Sequence, residues 1–332
     1  MNQFRVAITD FILDDLAPER RMLSDIADIV ACNATDESQL TGQVDDADAL
    51  MIYHCLTISR QTIERLKRCK LIVRCGVGYD NVDYQFARSR GIDVANVPDY
   101  GTEEVADSAI GLMLSLTRGI NLLNSRLRSA KGEWIFSQAA PLHRLRGRVF
   151  AIVGLGRIGT ATAVRAKALG MDVAFYDPYK PDGYDKAIGC RRVETLPELL
   201  SQAFVLSVHC PRTPETHGMI GAKEIAQMPM GSFVINTARG AIIDTSAIPE
   251  AIASGRLAGA GIDVLAVEPP SDDDPLMRAW RDPNHPAHDR VIVNPHSAFY
   301  SEEGLIDMRE KGAAACRRAL LGQRVRNVIN AG

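Results

Sequence analysis

The strongest constraint on this chain is a set of glycines at fixed spacing, held between a strand and a helix. Val149-Phe-Ala-Ile-Val153 is a short continuous apolar run, the pattern of a strand buried on both faces. Gly154-Leu-Gly156-Arg-Ile-Gly159 follows directly, and then a helical pattern over Thr160–Leu169. Gly154 allows a tight turn, Gly156 lets the backbone approach a pyrophosphate, and Gly159 lets helix and strand pack closely. The helix N-terminus presents free N–H groups and a partial positive charge to phosphates. The next strand, Asp172–Tyr176, runs into Asp177, 23 residues after Gly154 and near the spacing of about 20 expected of a ribose-binding acid. A glycine triplet alone is a weak signal; strand, turn, helix, strand and acid in this order predict a dinucleotide site. A carboxylate at Asp177 accepts from both ribose hydroxyls and repels a 2′-phosphate, so NAD is expected over NADP, with Lys180 softening the repulsion. The plainer reading is that Asp177 only opens the turn Asp177-Pro178-Tyr179.

Around this unit, apolar runs alternate with helical patterns. In the first third, strands are expected at Val6–Thr9, Ala49–Tyr53, Leu71–Cys75 and Asp93–Val97, with a weaker one near Asp28–Ala31, and amphipathic stretches at Thr62–Arg68 and Asp83–Arg90. After Gly101, Thr102 is placed to cap a longer helix with Glu103 and Glu104 in its first turn. A second series has strands at Val149–Val153, Asp172–Tyr176, Phe204–His209, Ser232–Asn236, Gly259–Val264 and Val291–Asn294, and the chain ends with a helix near Glu302–Leu320. Two βα series predict an α/β protein of two doubly wound parallel-sheet domains. Ser271–Asp289, rich in Pro and Asp, reads as a surface loop.

Composition narrows the classes. The 332 residues suffice for about two domains. Lys+Arg 38 against Asp+Glu 41 leaves no excess of basic charge for a nucleic-acid footprint. No apolar run reaches the roughly 20 residues that span a bilayer, and the N-terminal MNQFRVAITDF has no signal-peptide pattern. Seven scattered cysteines without a C-x-x-C pair argue against a disulfide framework or a zinc knuckle. A cytoplasmic protein with reduced thiols, no metal, no membrane and no nucleic acid is expected.

Three titratable or charged residues fall at or just beyond the ends of later strands: Arg239 in Asn236-Thr-Ala-Arg-Gly240, Glu268 in Val264-Leu-Ala-Val-Glu-Pro-Pro270, and His296 in Asn294-Pro-His-Ser297. Open α/β sheets bind ligands beyond the carboxyl ends of their strands, so all three point to the edge of the glycine turn. Hydride transfer to a ketone needs a proton donor for its oxygen, which a histidine supplies near neutral pH and a neighbouring carboxylate favours. A guanidinium fork suits a substrate carboxylate. Each residue alone is more often a surface or capping group; their joint placement makes the set a catalytic candidate. His285-Pro-Ala-His288 lacks a third ligand at metal-binding spacing, and Ser108 and Ser297 lack a nucleophile elbow.

Val73-Arg-Cys-Gly-Val-Gly-Tyr-Asp-Asn-Val-Asp83, Asn96-Val-Pro-Asp-Tyr-Gly-Thr-Glu-Glu-Val-Ala-Asp107, Gly154–Gly159, Phe175-Tyr-Asp-Pro-Tyr179, Asn236–Gly240, His296-Ser-Ala-Phe-Tyr-Ser-Glu302 and Met308-Arg309 resemble, in order and across almost the whole chain, the D-isomer-specific 2-hydroxyacid dehydrogenase family, particularly its C-terminal-binding-protein branch. The resemblance implies a flavodoxin-like substrate domain over 1–99, an inserted Rossmann NAD-binding domain over 100–296, and a C-terminal helix over 297–332 that completes the first. It implies an NAD-dependent oxidoreductase interconverting a D-2-hydroxy acid and a 2-oxo acid, with Arg239, Glu268 and His296 catalytic. Arg157 and Ile158 would join Gly154, Gly156 and Gly159 at the pyrophosphate. Cys210 and Thr216 would line the adenosine side, and Thr237 and Asp263 would flank the nicotinamide, Asp263 accepting from its carboxamide. Thr102 would reach a cofactor phosphate, and Pro211, Ala238, Arg239 and His296 join the cofactor contacts. The backbone of Val77 and Gly78, with Arg239, would hold the substrate carboxylate. The Thr102 helix would contribute to a homodimer.

Departures shape the substrate expectation. Val77 stands where phosphite-oxidising relatives carry lysine, Glu268 where formate-oxidising relatives carry glutamine, and Phe299 where the C-terminal-binding-protein branch often has tryptophan. An aromatic Phe299 favours a substrate with an apolar tail; the plainer reading is core packing. That branch also includes transcriptional co-regulators, so the alternative is an NAD(H)-sensing binding protein, which would have no use for the complete catalytic set.

Overall fold

The computed structural model describes residues 3–331. The chain forms two compact units, one comprising the segment up to Gly101 with that from Ser301 onward, the other Thr102–Tyr300. In the first unit, strands β1 (Phe4–Ile8), β2 (Ala27–Ala31), β3 (Ala49–Ile52), β4 (Leu71–Arg74) and β5 (Asp93–Asn96) pair in parallel in the order β2-β1-β3-β4-β5, the flavodoxin-like order. Every residue of β3 and β4 is buried, as strands covered on both faces must be. The Glu302–Leu320 helix packs on β3 and β4, and Gly312 permits this approach, since a Cβ there would lie 2.6 Å from Cys75 Sγ. Past that helix, Val328 bridges Ala95 in antiparallel fashion and Asn330 accepts from Val94 N–H at 2.8 Å, so the tail covers the open edge of β5.

The second unit holds β6 (Val149–Val153), β7 (Asp172–Tyr176), β8 (Arg191–Arg192), β9 (Val205–Val208), β10 (Ser232–Asn236), β11 (Leu257–Ile262) and β12 (Val291–Val293). They form one parallel sheet in the order β12-β11-β10-β9-β6-β7-β8. The strand order reverses at the β6/β9 boundary, so the crevice that takes ligands in such sheets opens beside the glycine turn. Phe150 and Ile152 of β6 pack with Phe175, Ile235 and Leu112 on one face; Ala151 and Val153 pack with Leu206, Val234 and Ile262 on the other. The Thr102–Thr117 helix lies against β10 and β11, where Gly261 brings it in: a Cβ at Gly261 would stand 3.0 Å from Leu112 Cβ.

Three expectations change. Ser271–Asp289 is not all loop: Pro275–Arg281 is a helix, with Asp274 accepting from Met277 N–H at 3.0 Å and Leu276, Met277 and Ala279 buried. Its Pro is at the helix start, where a missing N–H costs nothing, and its Asp is a cap; both had suggested a turn. The two-residue strand β8 carries too short a pattern to read. The chain divides at Gly101/Thr102 and Tyr300/Ser301 rather than after 99 and 296, because Ser297 and Ala298 donate their N–H groups to Asp263 of the second unit. His285 Nδ1 accepts from Ala287 N–H at 3.0 Å and His288 Nδ1 contacts the Trp280 carbonyl at 2.7 Å, so both rings serve their own loop. Among the described residues, no helix is long and apolar enough to cross a membrane.

Candidate active site

The glycine turn leaves β6 at the carboxyl edge of the second sheet. Gly154 has φ +88°, and a Cβ on it would lie 2.6 Å from Cys210 N. A Cβ on Gly159 would lie 2.2 Å from the Gly154 carbonyl oxygen, while no described atom comes within 4 Å of one on Gly156. Two glycines are thus required by packing, and the third leaves open space beside backbone. The helix begins at Arg157, three residues before the expected Thr160, so Arg157 and Ile158 sit in its first turn. Asp177 Oδ2 accepts from Leu155 N–H at 2.8 Å and Oδ1 from Tyr179 N–H at 3.0 Å. It both pins the glycine turn and opens the next turn, with lone pairs left for further donors.

The loop after β9 carries His209, Cys210, Pro211 and Thr216. His209 Nε2 meets Ser207 Oγ at 2.8 Å, and burial pulls the imidazole down to about 4, leaving it neutral near pH 7. Burial pushes the Cys210 thiol up to about 12, so it is a packing group beside Gly154 and not a thiolate. Thr216 Oγ1 donates to the Pro211 carbonyl at 2.7 Å and accepts from Thr213 N–H at 2.8 Å, bracing the loop.

Beyond β10, the fully buried Asn236 folds the loop back on itself. Its Oδ1 accepts from Ala238 N–H and its Nδ2 donates to the Arg239 carbonyl, both at 3.0 Å. Arg239 Nη1 donates to the Ala238 carbonyl at 2.8 Å. Gly240 lets this loop lie on the one after β11, since a Cβ would fall 1.9 Å from Leu265 C. Thr237 Oγ1 is buried and finds no hydrogen-bond partner among the described residues.

Asp263 and Glu268 organise the other side. Asp263 Oδ1 accepts from Ser297 N–H at 2.9 Å, and its backbone oxygen accepts from His296 N–H at 2.8 Å. Burial raises the Asp263 pKa above its ordinary value, although the Ser297 and Ala298 N–H groups on its carboxylate pull the other way. Glu268 Oε1 accepts from Leu265 N–H at 2.8 Å, and Oε2 meets His296 Nδ1 at 2.7 Å. Burial pushes Glu268 up, but the His296 hydrogen bond and charge, Leu265 N–H and the charge of Arg239 outweigh it and hold the carboxyl below its usual range. His296 has φ +53°, a left-handed conformation that a non-glycine residue adopts under constraint. The contact occupies Nδ1 and orients the ring through the Glu268 carboxylate. Phe299 stands edge-on to the imidazole, ring centroids 6.4 Å apart.

The second unit therefore brings Arg239, Glu268 and His296 to one electrostatic cluster on the edge that carries the glycine turn. Thr102 opens that unit's long helix. Val77 and Gly78 belong to the first unit, past β4, where the Val77 carbonyl accepts from Asn96 Nδ2 at 2.7 Å.

The profile described as D-isomer specific 2-hydroxyacid dehydrogenase, NAD binding domain, matches residues 110–298. This chain belongs to that family. Three relatives illustrate the range. D-3-phosphoglycerate dehydrogenase of Methanocaldococcus jannaschii is 32% identical over 98% of this chain and 59% of its own length. C-terminal-binding protein 1 of Caenorhabditis elegans is 32% identical over 93% of this chain and 42% of its own. The structure of D-lactate dehydrogenase from Aquifex aeolicus, complexed with NAD and lactic acid, superposes with a TM-score of 0.83 at 28% identity, covering 96% of each chain. The chain spans about half the length of those curated relatives.

The NAD-binding domain of this family member has the donors and space that a dinucleotide needs. The open side of Gly156, the helix N-terminus, the spare acceptor capacity of Asp177 and the orphaned Thr237 hydroxyl all fit such a group. Sequence reasoning missed the parts that hold the loops: Asn236, whose side chain imitates backbone, Gly240, and Leu265 N–H. The Asn-Thr-Ala-Arg-Gly order past a strand was the available signal for the first two.

Proposed function

We propose that this protein is an NAD-dependent oxidoreductase that interconverts a D-2-hydroxy acid and a 2-oxo acid. The observation that carries the reading is the Glu268 Oε2–His296 Nδ1 contact at 2.7 Å, with Arg239 acting electrostatically on the same carboxylate. NADH, when bound along the glycine turn, would supply hydride chemistry at the carbonyl carbon. His296 Nε2 delivers the proton to the carbonyl oxygen, and Glu268 stabilises the imidazolium before transfer. Arg239 takes the substrate carboxylate through its guanidinium and polarises the ketone. The N–H groups of Val77 and Gly78 are proposed as donors to the same class of carboxylate, and Phe299 as an apolar neighbour of the substrate tail. Asp177 takes the ribose hydroxyls and selects against a 2′-phosphate. Gly154, Gly156, Arg157, Ile158, Gly159 and Thr102 serve the phosphates; Cys210, Pro211 and Thr216 line the adenosine side; and Thr237, Ala238 and Asp263 flank the nicotinamide. A homodimer is part of the same reading.

The test is a panel of 2-oxo acids offered with NADH and, in parallel, NADPH, read as loss of reduced-nicotinamide absorbance. Turnover of at least one acid with a clear preference for NADH is expected. Tight NADH binding without turnover of any member would favour the sensing protein instead.

A further inference from the structure

The ribose side of the glycine turn carries a contact that the reading above does not use. Strand β6 lies between β7 and β9. The turn leaving β7 presents Tyr179, the loop leaving β9 presents Glu215, and the Tyr179 hydroxyl donates to the Glu215 carboxylate. Neighbouring strands lie about 4.8 Å apart, so the bond joins loops whose parent strands are roughly 10 Å apart, on either side of the glycine turn. Both ends are braced. Tyr179 N–H donates to Asp177 Oδ1 at 3.0 Å, which fixes its turn. The Thr213–Thr216 bonds fix the loop that carries Glu215. Tyr179 is 75% exposed, so burial does not explain where its ring lies, whereas the carboxylate does.

We propose that Tyr179 and Glu215 form a clasp across the adenosine end of the dinucleotide groove and gate the exchange of the cofactor. The proposal rests on the dinucleotide reading of the glycine turn. A nucleotide laid along Gly154–Gly159 with its ribose on Asp177 lies within a ring made by the sheet edge, the two loops and this bond. The clasp must open to admit a nucleotide and again to release one, so it slows entry and exit alike and leaves affinity nearly untouched. A charge-assisted bond exposed to water opens readily, so its removal speeds exchange only about three- to tenfold.

Stopped-flow measurement of NADH binding and release tests this. Tyr179→Phe and Glu215→Ala are each expected to raise both rate constants about three- to tenfold, with Kd changed less than about twofold. The double variant is expected to be no faster than the faster single one, because both changes remove the same bond. Unchanged rates, faster release without faster binding, or additive effects of the two changes would each overturn the clasp while leaving the dinucleotide reading standing. Failure of the unaltered protein to bind NADH would overturn that reading, and the clasp with it.

Discussion

Two arginine–carboxylate clusters in this molecule use the same chemistry to opposite ends. In the first unit Arg309, 3% exposed, donates to both oxygens of the fully buried Glu19 at 2.7 Å and to both oxygens of Asp14 at 2.5 and 2.8 Å. Tyr53 adds a hydroxyl to Glu19 at 3.4 Å. The guanidinium is enclosed and its bonds are closed within the fold. In the second unit the Glu268 and His296 side chains keep 35% and 27% of their surface, and only one ring nitrogen is spent on the carboxylate. The closed cluster ties the C-terminal helix to the start of the chain; the open one stays within reach of solvent. Solvent access, not residue type, is what separates the two clusters.

The comparison is broken most forcefully at the closed end. Arg309→Met strands a buried carboxylate, and a loss of about 3–5 kcal/mol in unfolding free energy is expected by urea denaturation, with turnover per folded molecule unchanged. A loss below about 1 kcal/mol would mean that the cluster is not the buried network described. Gly159→Ala comes next: its Cβ would sit 2.2 Å from a backbone oxygen, so the helix must shift, at about 1–3 kcal/mol of stability and with weaker NADH binding by fluorescence titration. At the open end the balance inverts. Glu268→Gln is expected to move stability by less than about 1 kcal/mol, because the pair is partly solvated, yet to lower turnover at least about tenfold.

The smallest effect is the pH dependence of that pair. The folded pKa of Glu268 is depressed below 4.5, the value it regains on unfolding. Its contribution to stability is therefore full above the unfolded value and is lost as pH falls through the folded one. Unfolding curves across that acid range are expected to show the loss in the unaltered protein and its absence in Glu268→Gln.

Strand cores were legible because continuous apolar runs such as Val149–Val153 and Leu71–Arg74 have one comfortable state, a strand covered on both faces. The glycine turn was legible because its steric demands fall on residues close together in sequence. Arg239, Glu268 and His296 were legible only as residues past strand ends; their convergence depends on strand order, which periodicity does not carry. The Pro275–Arg281 helix was hidden because its Pro and Asp serve equally at a helix start and in a turn. The Arg309 network joins residues some 290 positions apart and leaves no local pattern, whereas Asn236 acts through local backbone geometry and is signalled only by the Asn-Thr-Ala-Arg-Gly order past its strand.

The most direct test is steady-state reduction of the best 2-oxo acid by NADH in His296→Ala, with NADH affinity measured on the same sample. A fall in turnover on the order of 10²–10⁴-fold with nearly unchanged NADH binding is predicted, as for loss of a general acid. Turnover equal to that of the unaltered protein would remove the imidazole from the chemistry and contradict the account.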